Sequence, residues 1–186
     1  SDWFSKQDWS VSLSQKLNNK YLEKNKARIV HLGKIRGRHL DRLYEEARED
    51  ARSEFDLLKN HPLFVSGVMI YWGEGDKVSA QFRVTNTDPK MIKVFKEFLL
   101  KVCNVPKERI RASLIIYPDL KESECKKYWI EEAGLDNNSF TKTVIIRGKH
   151  KTNKIRFGIC TMNFSSRFLK EKMLTWISLV PKHLSR

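Results

Sequence analysis

At 186 residues the chain can form one substantial core, or a small domain carrying an appendage, which points away from a multi-domain machine. A formal charge of +14 and a pI near 9.8 favour an anionic partner, nucleic acid first, and 40% apolar with 11% aromatic residues argues against a disordered tail. No apolar run reaches the ~18 residues of a membrane span, and Ser1-Asp2-Trp3-Phe4 is not a signal core, so the expectation is a cytoplasmic chain with no membrane partner. Cys103, Cys125 and Cys160 are odd in number, widely spaced and set in apolar or helical pattern, as buried reduced thiols would be. The five histidines are scattered, with none at ligand spacing from another His, Cys or Asp, and no small-molecule cofactor is expected.

From the N-terminus, residues 16–42 carry nine Lys or Arg against two acids, Glu23 and Asp41, a composition suited to lying along phosphates. Leu40, Leu43, Tyr44, Ala47, Ala51, Phe55 and Leu58 then fall at helical spacing, which predicts a long amphipathic helix ending near Asn60, before Pro62. Its mixed-sign outer face reads as solvated surface. We place a helical N-terminal region at 1–60 and the main domain at 61–186, where apolar and β-branched residues become denser.

The main domain opens with an apolar helix, from Phe64 to Trp72, followed by a half-exposed strand in which Phe82 and Val84 alternate with Gln81, Arg83 and Thr85. Asp88-Pro89 caps a helix that buries Met91, Ile92, Phe95, Phe98, Leu99 and Val102. A second strand runs from Arg109 to Tyr117 with Ile110, Ala112, Leu114 and Ile116 on one face, and Arg111, Ser113, Ile115 and Tyr117 on the other. A helix from Glu122 to Ala133, stopped by Gly134, turns Cys125, Tyr128 and Trp129 inward. Thr141–Arg147 and Ile155–Met162 alternate and are separated by a basic stretch, which predicts a hairpin with a basic tip. A final helix covers Phe168–Leu179. The order gives an α+β domain with a mostly antiparallel sheet.

Two features carry chemistry. Between Asn137 and Lys170 there are eight basic residues and no acid, so Lys142, Arg147, Lys149, Lys151, Lys154 and Arg156, with Arg83 and Arg111 on the earlier strands, are candidate nucleic-acid contacts. The other is Gly73-Glu74-Gly75-Asp76, where an acid stands between two glycines at the end of the apolar Phe64–Trp72 helix. The glycines permit close backbone approach and then a chain break, which fixes a carboxylate in place.

This signature resembles a degenerate LAGLIDADG motif, with Met69 where a helix-contact glycine is usual and Gly67 as a candidate to take over that contact. Phe82 to Leu99, with its Asn86-Thr87-Asp88-Pro89 turn, is similar to the segment that follows the signature helix in single-motif LAGLIDADG proteins. Tyr117-Pro118-Asp119-Leu120, Tyr128-Trp129 and Lys149-His150-Lys151-Thr152 resemble bacterial proteins in which such a domain follows a helix-turn-helix. On that likeness Ser1–Phe4 would be the last turn of a recognition helix. The resemblance covers about residues 62–180.

The resemblance implies a saddle-shaped sheet over double-stranded DNA and a homodimer formed through the signature helices at Gly67, Ile70 and Gly73. It further implies metal-dependent phosphodiester cleavage, with two copies of Glu74, assisted by Asp76, holding Mg²⁺ or another divalent cation. Gln81 and Lys142 become candidates for a catalytic floor residue, by type alone. A non-catalytic, sequence-specific DNA-binding regulator on the same fold is the alternative, motivated by Met69 and the bulky Tyr71 and Trp72. RNA ranks below DNA because no aromatic base-stacking signature is readable.

Overall fold

The computed structural model describes residues 7–146 and 155–185 and divides the chain into two compact units, Ser1–Leu43 and Tyr44–Arg186. Helix α1, Asp8–Leu58, contributes to both. In the first unit this single helix leaves its apolar residues in solvent, Leu17 at 60% and Tyr21 at 62% exposure among them. Ser1–Phe4, expected to close a recognition helix, lie outside the described residues.

The second unit begins earlier than the expected boundary at residue 61. Ala47, Ala51 and Phe55 of α1 are buried in its core, so the last turns of that helix belong with the sheet domain. Helix α2 follows at Pro62–Glu74, with Pro62 in its first turn and the His61 side chain accepting from the Phe64 amide at 3.3 Å. Then come β1 (Phe82–Asn86), α3 (Pro89–Lys101), β2 (Arg111–Ile116), α4 (Glu122–Ala133), β3 (Val144–Ile145), β4 (Ile159–Phe164) and α5 (Arg167–Leu184). Local chemistry sets these boundaries. Asp88 accepts from the Lys90 amide at 2.8 Å to start α3. Ser166 accepts from the Leu169 amide at 3.1 Å to start α5. Gly134, at φ 63°, stops α4 in the left-handed conformation that glycine adopts without strain.

The sheet has the order β1-β4-β2-β3, antiparallel at β1/β4 and β4/β2 and parallel at β2/β3. This corrects the expected hairpin of β3 with β4. Strand β4 alternates, buries Cys160, Met162 and Phe164, and pairs along its length with β1 on one side and β2 on the other. Two-residue β3, exposed at both positions, is left as an edge. Alternation reports which face of a strand is buried, and pairing partners are chosen by long-range packing.

One sheet face is packed and the other is open. Phe82, Val84, Ala112, Leu114, Ile116, Cys160 and Met162 point into a core completed by Phe64, Val68 and Tyr71 of α2, by Phe95 and Phe98 of α3, and by Trp129 and Trp176. Trp129 donates to the Phe157 carbonyl and Trp176 to the Ala51 carbonyl, so both indoles are buried with their N–H groups paired. All three cysteines are free thiols, and burial pushes those of Cys103 and Cys160 up to about 12. No helix among the described residues is long and apolar enough to cross a membrane.

Candidate nucleic-acid interface and acid site

The open face of the sheet is built by strand alternation alone. Register puts Arg83, Asn163 and Arg111 in one row across β1, β4 and β2, and Thr85, Thr161 and Ser113 in the next. A third row, Ile159 with Ile115, is apolar. The Thr85 and Thr161 hydroxyls share a hydrogen bond at 2.9 Å, and the Arg111 guanidinium donates to the Asn138 carbonyl at 2.9 Å. The face therefore offers hydroxyl, amide and guanidinium groups and no acid in its first two rows, at the spacing of neighbouring strands, about 4.8 Å. Thr161 and Asn163 were legible from the β4 alternation but were not singled out from sequence.

Next to this face stands the acid-bearing end of α2. Glu74 is the last helical residue, exposed, and has no hydrogen-bond or ion-pair partner among the described residues. Gly75 follows, and its amide donates to the Tyr71 carbonyl at 2.8 Å. A Cβ at Gly75 would lie 2.4 Å from that carbonyl and 2.6 Å from the Tyr71 ring, so only glycine fits. Gly75 then bridges to Val84, and the Asp76 amide donates to the Arg83 carbonyl at 3.0 Å. Helix α2 is thereby stitched to the edge of β1, with Glu74 one residue before the Gly75–Val84 bridge and Asp76 beside Arg83.

Asp76 has a different fate from the expected metal ligand. One carboxylate oxygen accepts from the Val78 and Ser79 amides, and the other accepts from the Ser79 hydroxyl at 2.6 Å and pairs with Arg83 at 3.0 Å. Those bonds, the Ser79 hydroxyl and amide foremost, hold its carboxyl well below the usual carboxylate range. Its acceptor positions are spent on closing the 76–79 turn. Glu74 is the acid left open.

Lys170 completes this arrangement. One of the eight basic residues between Asn137 and Lys170, it is 5% exposed on α5, and its ammonium donates to the carbonyls of Asp76, Ser79 and Gln81 at 2.5 to 3.0 Å. Burial lowers its pKa and the nearby Asp76 charge opposes that. Three carbonyls and a carboxylate around one ammonium fix the loop leading from α2 to β1. A lysine in the middle of an apolar helical face was the available signal.

The remaining candidates separate. Gln81 is exposed beside this loop and accepts from Arg83 at 3.0 Å. Lys142 precedes β3 on the opposite edge, with β4 and β2 between it and β1, so one chain does not bring it to Glu74. Arg156 is exposed just before β4. Arg147, Lys149, Lys151 and Lys154 lie outside the described residues.

The expected dimer-contact set also changes. A Cβ on Gly67 would meet the Phe98 ring at 2.1 Å, because that glycine lets α3 approach inside the chain, and Ile70 packs on the same core. Gly67 and Gly73 are six residues apart, which at 100° per residue puts them about 120° apart round the helix. Gly73 instead faces open space, alongside Val65, Met69 and Trp72 at 41%, 46% and 37% exposure. Helix α2 therefore has an inward glycine and an outward one. Among the described residues no three His, Cys, Asp or Glu side chains cluster.

No family model, curated protein or solved structure matches this chain.

Proposed function

We propose that the protein is a double-stranded DNA-binding, LAGLIDADG-like endonuclease that acts as a homodimer. The observation that carries this reading is the exposed, unpartnered Glu74 one residue before the Gly75–Val84 bridge, at the edge of a sheet whose open face carries Arg83, Asn163 and Arg111 in one row. In the proposed dimer the outward stripe of α2 meets its copy, Gly73 allows the helices to approach, and the two sheets form a continuous saddle. The sheet groups contact base edges and phosphates of the duplex. Glu74 fits as the open acid of the Gly73–Asp76 segment, and Mg²⁺ held by its two copies would supply the Lewis acid for water attack on phosphate. Within the chain, the Gly75 turn and the Lys170 contacts keep Glu74 in place, and Gln81 orients Arg83.

The test is incubation with Mg²⁺ and a library of duplex targets. Double-strand cuts are expected from the native chain, and Glu74→Gln should abolish them without altering thermal stability, since the side chain is exposed and unpaired. Cutting that survives this change would overturn the assignment. The protruding Met69 and Trp72 support a second reading, a DNA-binding regulator on the same fold that has lost cleavage. It predicts specific, salt-sensitive duplex binding that neither Glu74→Gln nor chelation alters.

A further inference from the structure

The first unit carries a surface that the sheet reading does not use. In α1, Lys16, Lys20, Lys24 and Arg28 recur every fourth residue, His31 follows three residues on, and Lys34, Arg38 and Arg42 continue the series. At 100° per residue all eight fall within an arc of about 120°, and from Lys16 to Arg42 the row is about 39 Å long. Every one is exposed, and none has an acidic partner among the described residues. The three acids of this part of the helix, Asp8, Glu23 and Asp41, lie outside the arc. Seven fixed cations on one side of a helix, about 6 to 9 Å apart along the axis, outnumber Glu23 and Asp41 just beyond the arc and repel one another.

We infer that this basic stripe is a second nucleic-acid contact, a helix that lies along the phosphates of duplex DNA independently of the sheet. Charge complementarity selects the partner: a row of cations this long matches a polyanion with regular charge spacing and gains affinity by counterion release. An anionic membrane surface is the competing partner for a basic amphipathic helix. The apolar side of α1 argues against it. Leu22, Ile29, Leu32, Leu40 and Leu43 make a stripe there, but Asn18, Asn25 and Arg36 fall inside the same arc, so hydrocarbon would have to accept a guanidinium at its centre. The same Arg36 would face its own copy in a parallel self-pair.

The experiment measures binding of the full chain to a random-sequence 40-base-pair duplex in EDTA as a function of NaCl, so cleavage and metal play no part. Two charge-matched variants are compared, Lys20→Gln/Arg38→Gln on the stripe and Lys26→Gln/Arg36→Gln off it, with helicity checked by circular dichroism. The stripe variant should reduce the slope of log affinity against log salt by about 2, and the off-stripe variant by less than half as much. Equal reductions would overturn the proposal, because net charge alone would then explain binding. An unchanged DNA slope, with loss of binding to phosphatidylserine vesicles, would overturn it in favour of a lipid surface. Arg111→Gln/Arg156→Gln, measured alongside, separates this inference from the sheet reading: either surface can fail while the other keeps its salt slope.

Discussion

Glu74 and Asp76 are two residues apart, both acidic and flanked by glycine, yet their surroundings give them opposite roles. Asp76 accepts from two amides and a hydroxyl and pairs with Arg83, while Glu74 accepts from no described group. A pH titration of stability distinguishes them. The folded-state pKa of Asp76 lies below its ordinary 3.8, so between those two values the unfolded chain binds more protons than the folded one. The Asp76 contribution is fully present above the unfolded value and is lost as pH falls through the folded one. Denaturant melts from pH 6 to pH 2 should therefore show an acid-side loss that Asp76→Asn reduces and Glu74→Gln leaves in place. An identical acid limb in Asp76→Asn would refute the turn-closing role. Sequence showed both acids but not which one the chain would consume: the groups that consume Asp76 are mostly local, the Ser79 hydroxyl and the Val78 and Ser79 amides, and Arg83 joins them from β1.

At the level of elements, α2 illustrates how far periodicity reaches. Its extent, its glycine stop and its terminal acid were all legible, since apolar residues end where Gly73 and Gly75 begin. Its two faces were not, because nearly every residue from Leu63 to Trp72 is apolar and the pattern has almost no polarity to orient it. Packing supplied the orientation: Gly67 received Phe98, and Gly73 was left outward. This gives an element-scale expectation. Gly73→Ala has room in the single chain and should raise its stability by about 0.5 kcal/mol through helix propensity. In the proposed homodimer the added methyl holds the paired helices apart, so sedimentation should show weaker self-association. A variant that is more stable and equally dimeric would remove Gly73 from the interface. Strands β3 and β4 make the same point: β4 alternates as expected, two-residue β3 is exposed at both positions, and the two do not pair with one another.

For the whole molecule, charge is the property that composition reads most directly. A formal +14 spread over 186 residues predicts salt-dependent binding to polyanions before any fold is known. The open sheet face gives that charge one location through Arg111 and through Arg156 beside β4. Neutralising both as Arg111→Gln/Arg156→Gln should lower the salt slope of duplex binding by about 1 to 2 with little change in thermal stability, measured by fluorescence anisotropy and a melting scan. A slope unchanged by both substitutions would leave the sheet face without a phosphate contact.

The sequence by itself determined what depends on neighbouring residues: the helices and their caps, the inward and outward alternation of β1, β2 and β4, the glycine-framed acid, and the basic character. These follow from periodicities of 3.6 and 2 and from local hydrogen bonding. Tertiary structure alone decided that β4 lies between β1 and β2, that Lys142 sits on the edge remote from Glu74, and that Lys170 is buried against three carbonyls. Each of those outcomes depends on groups far apart in the chain meeting at one place. That choice is made by how a core closes at high density, which no local pattern encodes.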